Sequence, residues 1–281
     1  MTSSASHLSK LAVTCVAVLA LGLAMAACGD DGNAEELGFT LTTEGTESRI
    51  SGPSSADVGE VEITLDNETD REGELQLIRA EGDHTAADVI EVLNGVVQGK
   101  PFPDWFYAGG GVGSTPAGES QSVVQNLQPG TYFAVDLEGD GPPKPDSIPE
   151  IEVTGEGSGE QLEADATVAA IDYGFDAETL PSGETEIVFE NRGNEPHHLL
   201  ASKIVGDATA EDVIEFFKTE KGEPPLQEEG SATTAVLEGG EAQKVTIDLE
   251  PGRYALYCFI SDRQGGPPHV FKGMVDEVEV E

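Results

Sequence analysis

Basic residues are scarce in this chain of 281 residues: 14 Lys and Arg stand against 54 Asp and Glu, a net charge of −40. That imbalance repels phosphate backbones and anionic bilayer surfaces, so nucleic acid and anionic membranes are excluded as partners. Cysteine is nearly absent too, with three copies. Histidine numbers five, and His7 stands close to the N-terminus. The glycine-rich run Gly109–Gly113 is not followed by Gly-Lys-Ser/Thr, so it is no phosphate loop. Acidic residues are so widely spread that no Ser-His-Asp arrangement or carboxylate pair stands out. Because the acids are dispersed among apolar segments, the chain does not read as disordered. Such acidity suits a soluble protein in saline or cation-rich surroundings.

The one long apolar run covers residues 11–27, after a polar stretch whose only fixed cation is Lys10. It is short for a spanning helix and ends in the small residues Ala26-Ala27, as an export signal does. Leu23-Ala24-Met25-Ala26-Ala27-Cys28 resembles a bacterial lipobox, with Met25 where Leu is more usual. The resemblance implies cleavage before Cys28 and lipid on its thiol; an ordinary secretory signal that contains a cysteine is the alternative. Residues 1–27 are then a leader and 28–36 a tether. The mature protein is expected on the outer face of the cell membrane, reaching it through the lipid anchor only. Cys15 leaves with the leader, so Cys258 is the one free thiol, without a disulfide partner in the chain. A metal is one explanation for it.

The remainder repeats itself. Val61-Glu62-Ile63-Thr64-Leu65-Asp66-Asn67 matches Thr185-Glu186-Ile187-Val188-Phe189-Glu190-Asn191, both alternating on a period of two and ending in Asn. Residues 82–91 match 206–215, and each copy has Thr three residues before Asp, as in a capping box opening a short helix. Leu127-Gln128-Pro129-Gly130-Thr131-Tyr132 matches Leu249-Glu250-Pro251-Gly252-Arg253-Tyr254, a Pro-Gly turn entering an aromatic strand. Residues 37–154 and 161–281 are therefore expected as two domains with two small cores, joined by a linker at 155–160. Short strands set off by Gly and Pro turns, with one helix apiece, predict antiparallel sandwiches. Phe102, Trp105, Phe106, Tyr107 and the glycines after them predict an aromatic loop, packed on its own domain or presented to a partner.

The second repeat concentrates the chemistry. Asn191-Arg192-Gly193-Asn194-Glu195-Pro196-His197-His198 resembles the segment that supplies the first histidine ligand in plastocyanin-like cupredoxins. The match makes His197 the ligand and leaves His198 as the alternative, because adjacent strand residues point to opposite faces. In that family the remaining ligands follow in the order Cys, His, Met from one loop. Here Cys258 ends a strand, and His269 and Met274 come after it. Four residues separate His269 from Met274, as in plastocyanin, but ten separate Cys258 from His269. That departs from the short loops of small blue-copper proteins and is closer to copper nitrite reductases. Two imidazoles, a thiolate and an axial thioether describe a blue-copper electron-transfer centre. The aligned positions of the first repeat are Gly73 and Asp136, with Lys144 in place of the histidine and no methionine. That repeat is expected to be metal-free, with Asp136 at a wet rim.

The reading is an all-β protein of two tandem cupredoxin-like antiparallel β-sandwiches, each with one short inserted helix. The resemblance implies one copper ion in the second repeat and a membrane-anchored electron carrier with a redox protein partner. It implies no enzyme, since the four histidines beyond the leader cannot also serve a catalytic copper. Copper sequestration, and a non-metal cupredoxin-like interaction or adhesion lipoprotein, are the alternatives.

Overall fold

A computed structural model describes residues 34–45, 47–139, 143–157, 159, 161–227 and 229–281. The leader, the lipidation candidate Cys28 and most of the tether lie outside the described residues. So do parts of the linker and of the Gly141-Pro142 turn.

The first half contains strands β1 (Glu35–Glu44), β2 (Glu47–Ser51), β3 (Ser55–Asp57), β4 (Gly59–Asn67) and β5 (Gly73–Ala80). Helix α1 (Ala86–Val96) follows, then β6 (Phe106–Thr115), β7 (Ser120–Leu127), β8 (Gly130–Val135) and β9 (Glu150–Thr154). The second half contains β10 (Ala166–Ile171), β11 (Gly174–Ala177), β12 (Gly183–Asn191), β13 (Leu200–Lys203) and helix α2 (Ala210–Thr219). It ends with β14 (Ala232–Thr233), β15 (Ala242–Leu249), β16 (Gly252–Tyr257) and β17 (Val275–Val280).

Alternation decides which face each strand buries. In β4, Val61, Ile63, Leu65 and Asn67 point inward, and in β12 Ile187, Phe189 and Asn191 do. Both helices open on the capping box that the sequence predicts. Thr85 and Asp88 exchange side-chain and backbone bonds at α1, as Thr209 and Asp212 do at α2.

The strands assemble into three sheets. One of eight strands runs β11-β10-β12-β15-β7-β4-β1-β2, so it crosses from one half to the other where β15 pairs with β7. Each half closes its sandwich with a sheet of its own, β3-β9-β8-β5-β6 in the first and β14-β13-β16-β17 in the second. The class is the expected all-β sandwich with a short helix in each half, although β1–β4, β10–β12 and β3–β9 pair in parallel.

The expectation of two separate cores is corrected. One apolar cluster takes in Phe39, Leu41, Ile63 and Leu75 from the first half and Phe189, Leu237, Cys258 and Met274 from the second. Each such large side chain contributes about 1.5–3 kcal/mol by leaving water, so the halves stabilise each other. The helices cover the outer faces of the smaller sheets: α1 lays Val89 on Ile78 and Phe133, and α2 lays Val213 on Ala255 and Tyr257.

The predicted aromatic, glycine-rich loop is in fact β6 and its approach. Phe102, Trp105 and Phe106 pack on their own half, with Trp105 stacked on His84 at 3.7 Å. The glycines serve close approach. A Cβ on Gly113 would stand 2.2 Å from Thr233 O, so a side chain there would push the second half away.

Candidate metal centre

A turn, a strand end and a one-turn helix bring the chemistry together. The Asn191 amide donates to Glu195 O at 2.8 Å and Leu237 O at 2.9 Å, and its oxygen accepts the Gly193 N–H at 2.9 Å. Asn67 closes a turn in the same way, donating to Arg71 O and accepting the Thr69 N–H. The Asn191 turn delivers Pro196 and His197, whose backbone then exchanges hydrogen bonds with Leu237. Along β16, Tyr254 and Leu256 face the shared core while Ala255 and Tyr257 face α2. One residue beyond the strand, the same parity turns Cys258 inward. Residues His269–Lys272 form a single 3-10 turn, tied back by the His269 N–H to Ile260 O at 2.9 Å and the Val270 N–H to Cys258 O at 2.8 Å.

The outcome is a compact donor set. His197 Nδ1 and His269 Nδ1 lie 3.0 Å apart, Cys258 Sγ lies 3.6 Å from His269 Nδ1, and the three ligand atoms fall within 4.8 Å of one another. All three side chains are fully buried. Burial lowers the pKa of His197, and burial together with the neighbouring His197 brings His269 down to about 4. Both shifts favour the neutral imidazole. Each Nε2 faces a carboxylate, Asp172 Oδ1 at 2.9 Å and Asp262 Oδ1 at 3.0 Å, so each ring donates there and turns an Nδ1 lone pair inward. Two lone pairs 3.0 Å apart repel unless a proton or a cation lies between them. Burial pushes the Cys258 thiol up to about 12, opposed by the His198 and Ile260 backbone N–H groups that the sulfur accepts. Those two donors are in place for a thiolate once a cation replaces the proton. The donor set of two imidazoles and one sulfur fits copper in either oxidation state.

Of the other predicted residues, Met274 is fully buried in the same apolar cluster as Cys258, and its N–H donates to His269 O at 3.0 Å. His198 lies outside the three-atom group. Its Nε2 accepts the Phe259 N–H at 2.9 Å, which fastens the strand end instead. Asp172, Asp262, Tyr173 and Lys272 surround the histidines, and no sequence signal picks them out of so many acids.

The first half fills the matching positions with other groups. Asp136 is buried, not at a rim, which corrects the sequence expectation. It accepts the Glu74 and Glu138 N–H groups, both at 3.2 Å, and pairs with Arg71 at 2.5 Å. A charge can be buried there because a cation and two amides compensate it. At Gly73, a Cβ would stand 2.2 Å from Leu41 Cδ2, so the space beside it is already filled. Lys144 is exposed and ion-paired with Glu47.

An apolar cleft of about 450 Å³ opens beside the centre, lined among others by Val97 and Phe102 of the first half and Phe259 and Ile260 of the second. Pro196 and Pro268, each preceding a cluster histidine, also line it. No helix among the described residues is long and apolar enough to cross a membrane.

No protein-family model matches the chain, and no curated protein does. Among solved structures it is similar to dithionite-reduced auracyanin from the photosynthetic bacterium Roseiflexus castenholzii, at 22% identity and a TM-score of 0.29 over 41% of this chain and 94% of that one. It is similar to an azurin from Methylomonas sp. strain J, at 19% identity and a TM-score of 0.27 over 41% of this chain and 95% of that one. A blue copper oxidase from Nitrosomonas europaea covers more of it, 89% of this chain against 86% of that one, at 10% identity and a TM-score of 0.24.

Proposed function

We propose that the protein binds one copper ion through His197, Cys258 and His269, with Met274 as a further donor, and carries single electrons. In this reading it is no enzyme, and it works from the outer face of the cell membrane, where a lipid on Cys28 holds it within reach of a redox protein partner. The convergence of two neutral imidazole Nδ1 atoms and one thiol in a dry pocket carries the reading. Copper bound there would supply a one-electron couple between Cu(II) and Cu(I). The chain's own part is to keep both rings neutral, aim their Nδ1 atoms at one point, exclude water and donate two amides to the sulfur. Short hydrogen-bonded turns hold the three side chains in place, so a bound ion would meet a site that rearranges little. The first half would serve as a buttress: its segment 102–107 grips Arg263, in the stretch between Cys258 and His269, through Pro103 O at 3.2 Å and Phe106 O at 2.9 Å.

Sequestration of copper is the second reading. It is favoured by the complete burial of both imidazoles behind carboxylates, which leaves no ring edge open to a partner. Adding Cu(II) and recording the visible spectrum separates the readings. An intense thiolate charge-transfer band that vanishes in Cys258→Ser supports the carrier. Binding without that band supports sequestration, and no binding supports a non-metal interaction lipoprotein.

A further inference from the structure

The two histidines share a feature that ligation alone does not demand. Each outer nitrogen meets a carboxylate, and the two carboxylates come from different parts of the fold. Asp172 stands in the turn between β10 and β11, and Asp262 in the ten-residue stretch 259–268 that separates Cys258 from His269. Both are held from several sides. Asp172 accepts the Asn194 N–H at 3.0 Å, the Glu195 N–H at 3.3 Å and the Asn194 amide at 3.2 Å. Gly193 leaves room for it: a Cβ there would stand 2.2 Å from Asp172 Oδ1 and 3.1 Å from His197 Nε2. Asp262 accepts the Tyr173 hydroxyl at 3.0 Å and pairs with Lys272, while the Tyr173 ring meets the His269 ring edge-on at 5.1 Å.

We propose that Asp172 and Asp262 are positioning residues that fix both histidines with Nδ1 toward the ion and bias the site toward the oxidised, more highly charged metal. The proposal rests on the copper reading. A hydrogen-bonded carboxylate orients a ligating imidazole and raises its basicity, which strengthens its bond to the metal. Its charge also attracts Cu(II) more than Cu(I), so the reduction potential falls. Lys272 offsets part of this at Asp262, and among the described residues no cation pairs with Asp172 other than His197 itself when protonated. The long stretch after Cys258 thus acquires a purpose: it carries the carboxylate that reaches His269.

The test compares copper-loaded Asp172→Asn and Asp262→Asn with Asp248→Asn, which removes an exposed charge elsewhere on the surface. Each of the first two is expected to keep the thiolate band, weaken Cu(II) binding by about 10- to 100-fold and leave Cu(I) binding closer to that of the parent. A tenfold loss confined to the oxidised form raises the potential by about 59 mV. Asp262→Glu is expected to recover part of the change. Potentials equal to that of Asp248→Asn, or equal weakening of both oxidation states, would overturn the proposal. Should an Asn variant fail to fold, Lys272→Met carries the test. It frees the Asp262 charge and is expected to lower the potential, and an unchanged potential would count against the proposal. A parent protein without a thiolate band sinks the copper-carrier reading itself, whereas a band with unmoved potentials sinks only this inference.

Discussion

Asp136 and Cys258 occupy matching places after β8 and β16 and accept matching backbone amides, from Glu74 and Glu138 in one case and His198 and Ile260 in the other. The two positions differ in the cation that balances them, which is Arg71 beside Asp136. Arg71→Ala is therefore expected to leave a buried carboxylate unpaired and cost about 3–5 kcal/mol, measured by urea unfolding. Glu74 offers a test by pH. Burial, then Glu138 and Asp136, raise its pKa from 4.5 to about 8. The folded state thus holds this proton more tightly than the unfolded state does. The contribution is fully present below 4.5, is lost as pH rises through about 8, and changes no further above that. Glu74→Gln is expected to flatten the fall in Tm across that window, and an unchanged slope would contradict it. At this scale the sequence was legible where residue types were rare. His197, Cys258 and His269, which the fold brings together, stood out, but Asp172 and Asp262 did not, since nothing local distinguishes them among 54 acids.

Elements that alternate strictly were easiest to read. Strand β4 buries its alternate residues, β12 does so apart from the additionally buried Val188, and both capping boxes form at Thr85 and Thr209. Thr209→Ala is expected to cost about 1 kcal/mol in chemical unfolding with no effect on metal binding. Segment β6 was hidden, because glycine weakens strand preference in isolation. Its glycines make sense only with the neighbour present: Gly111 (φ +129°) opposes Leu75 O, and Gly113 opposes Thr233 O. Gly113→Val is expected to force β6 and β14 apart and lower Tm by several degrees, and an unchanged Tm would refute that contact. The stretch 259–268 was legible as an anomaly of length but not as a structure. Arg263 explains its path, since its guanidinium reaches Glu238 at 2.8 Å and the carbonyls of Pro103 and Phe106.

Over the whole molecule, residues Ala34–Glu281 form one compact unit with a sheet continuous through β7 and β15. Repetition in the sequence suggested two cores because it reports on local pattern, whereas the merging of edges depends on partners far away in the chain. A single unfolding transition is expected by calorimetry and by denaturant, and two resolved transitions would contradict the shared core. The charge of −40 repels itself in the compact state, so added salt is expected to raise Tm. The central claim is that two histidines and one cysteine hold a single copper ion. X-ray absorption at the copper edge of the loaded protein tests it most directly. The account predicts one sulfur and two nitrogen neighbours at short range, with the sulfur lost in Cys258→Ser; a copper shell of nitrogen and oxygen alone, unchanged by that substitution, would contradict it.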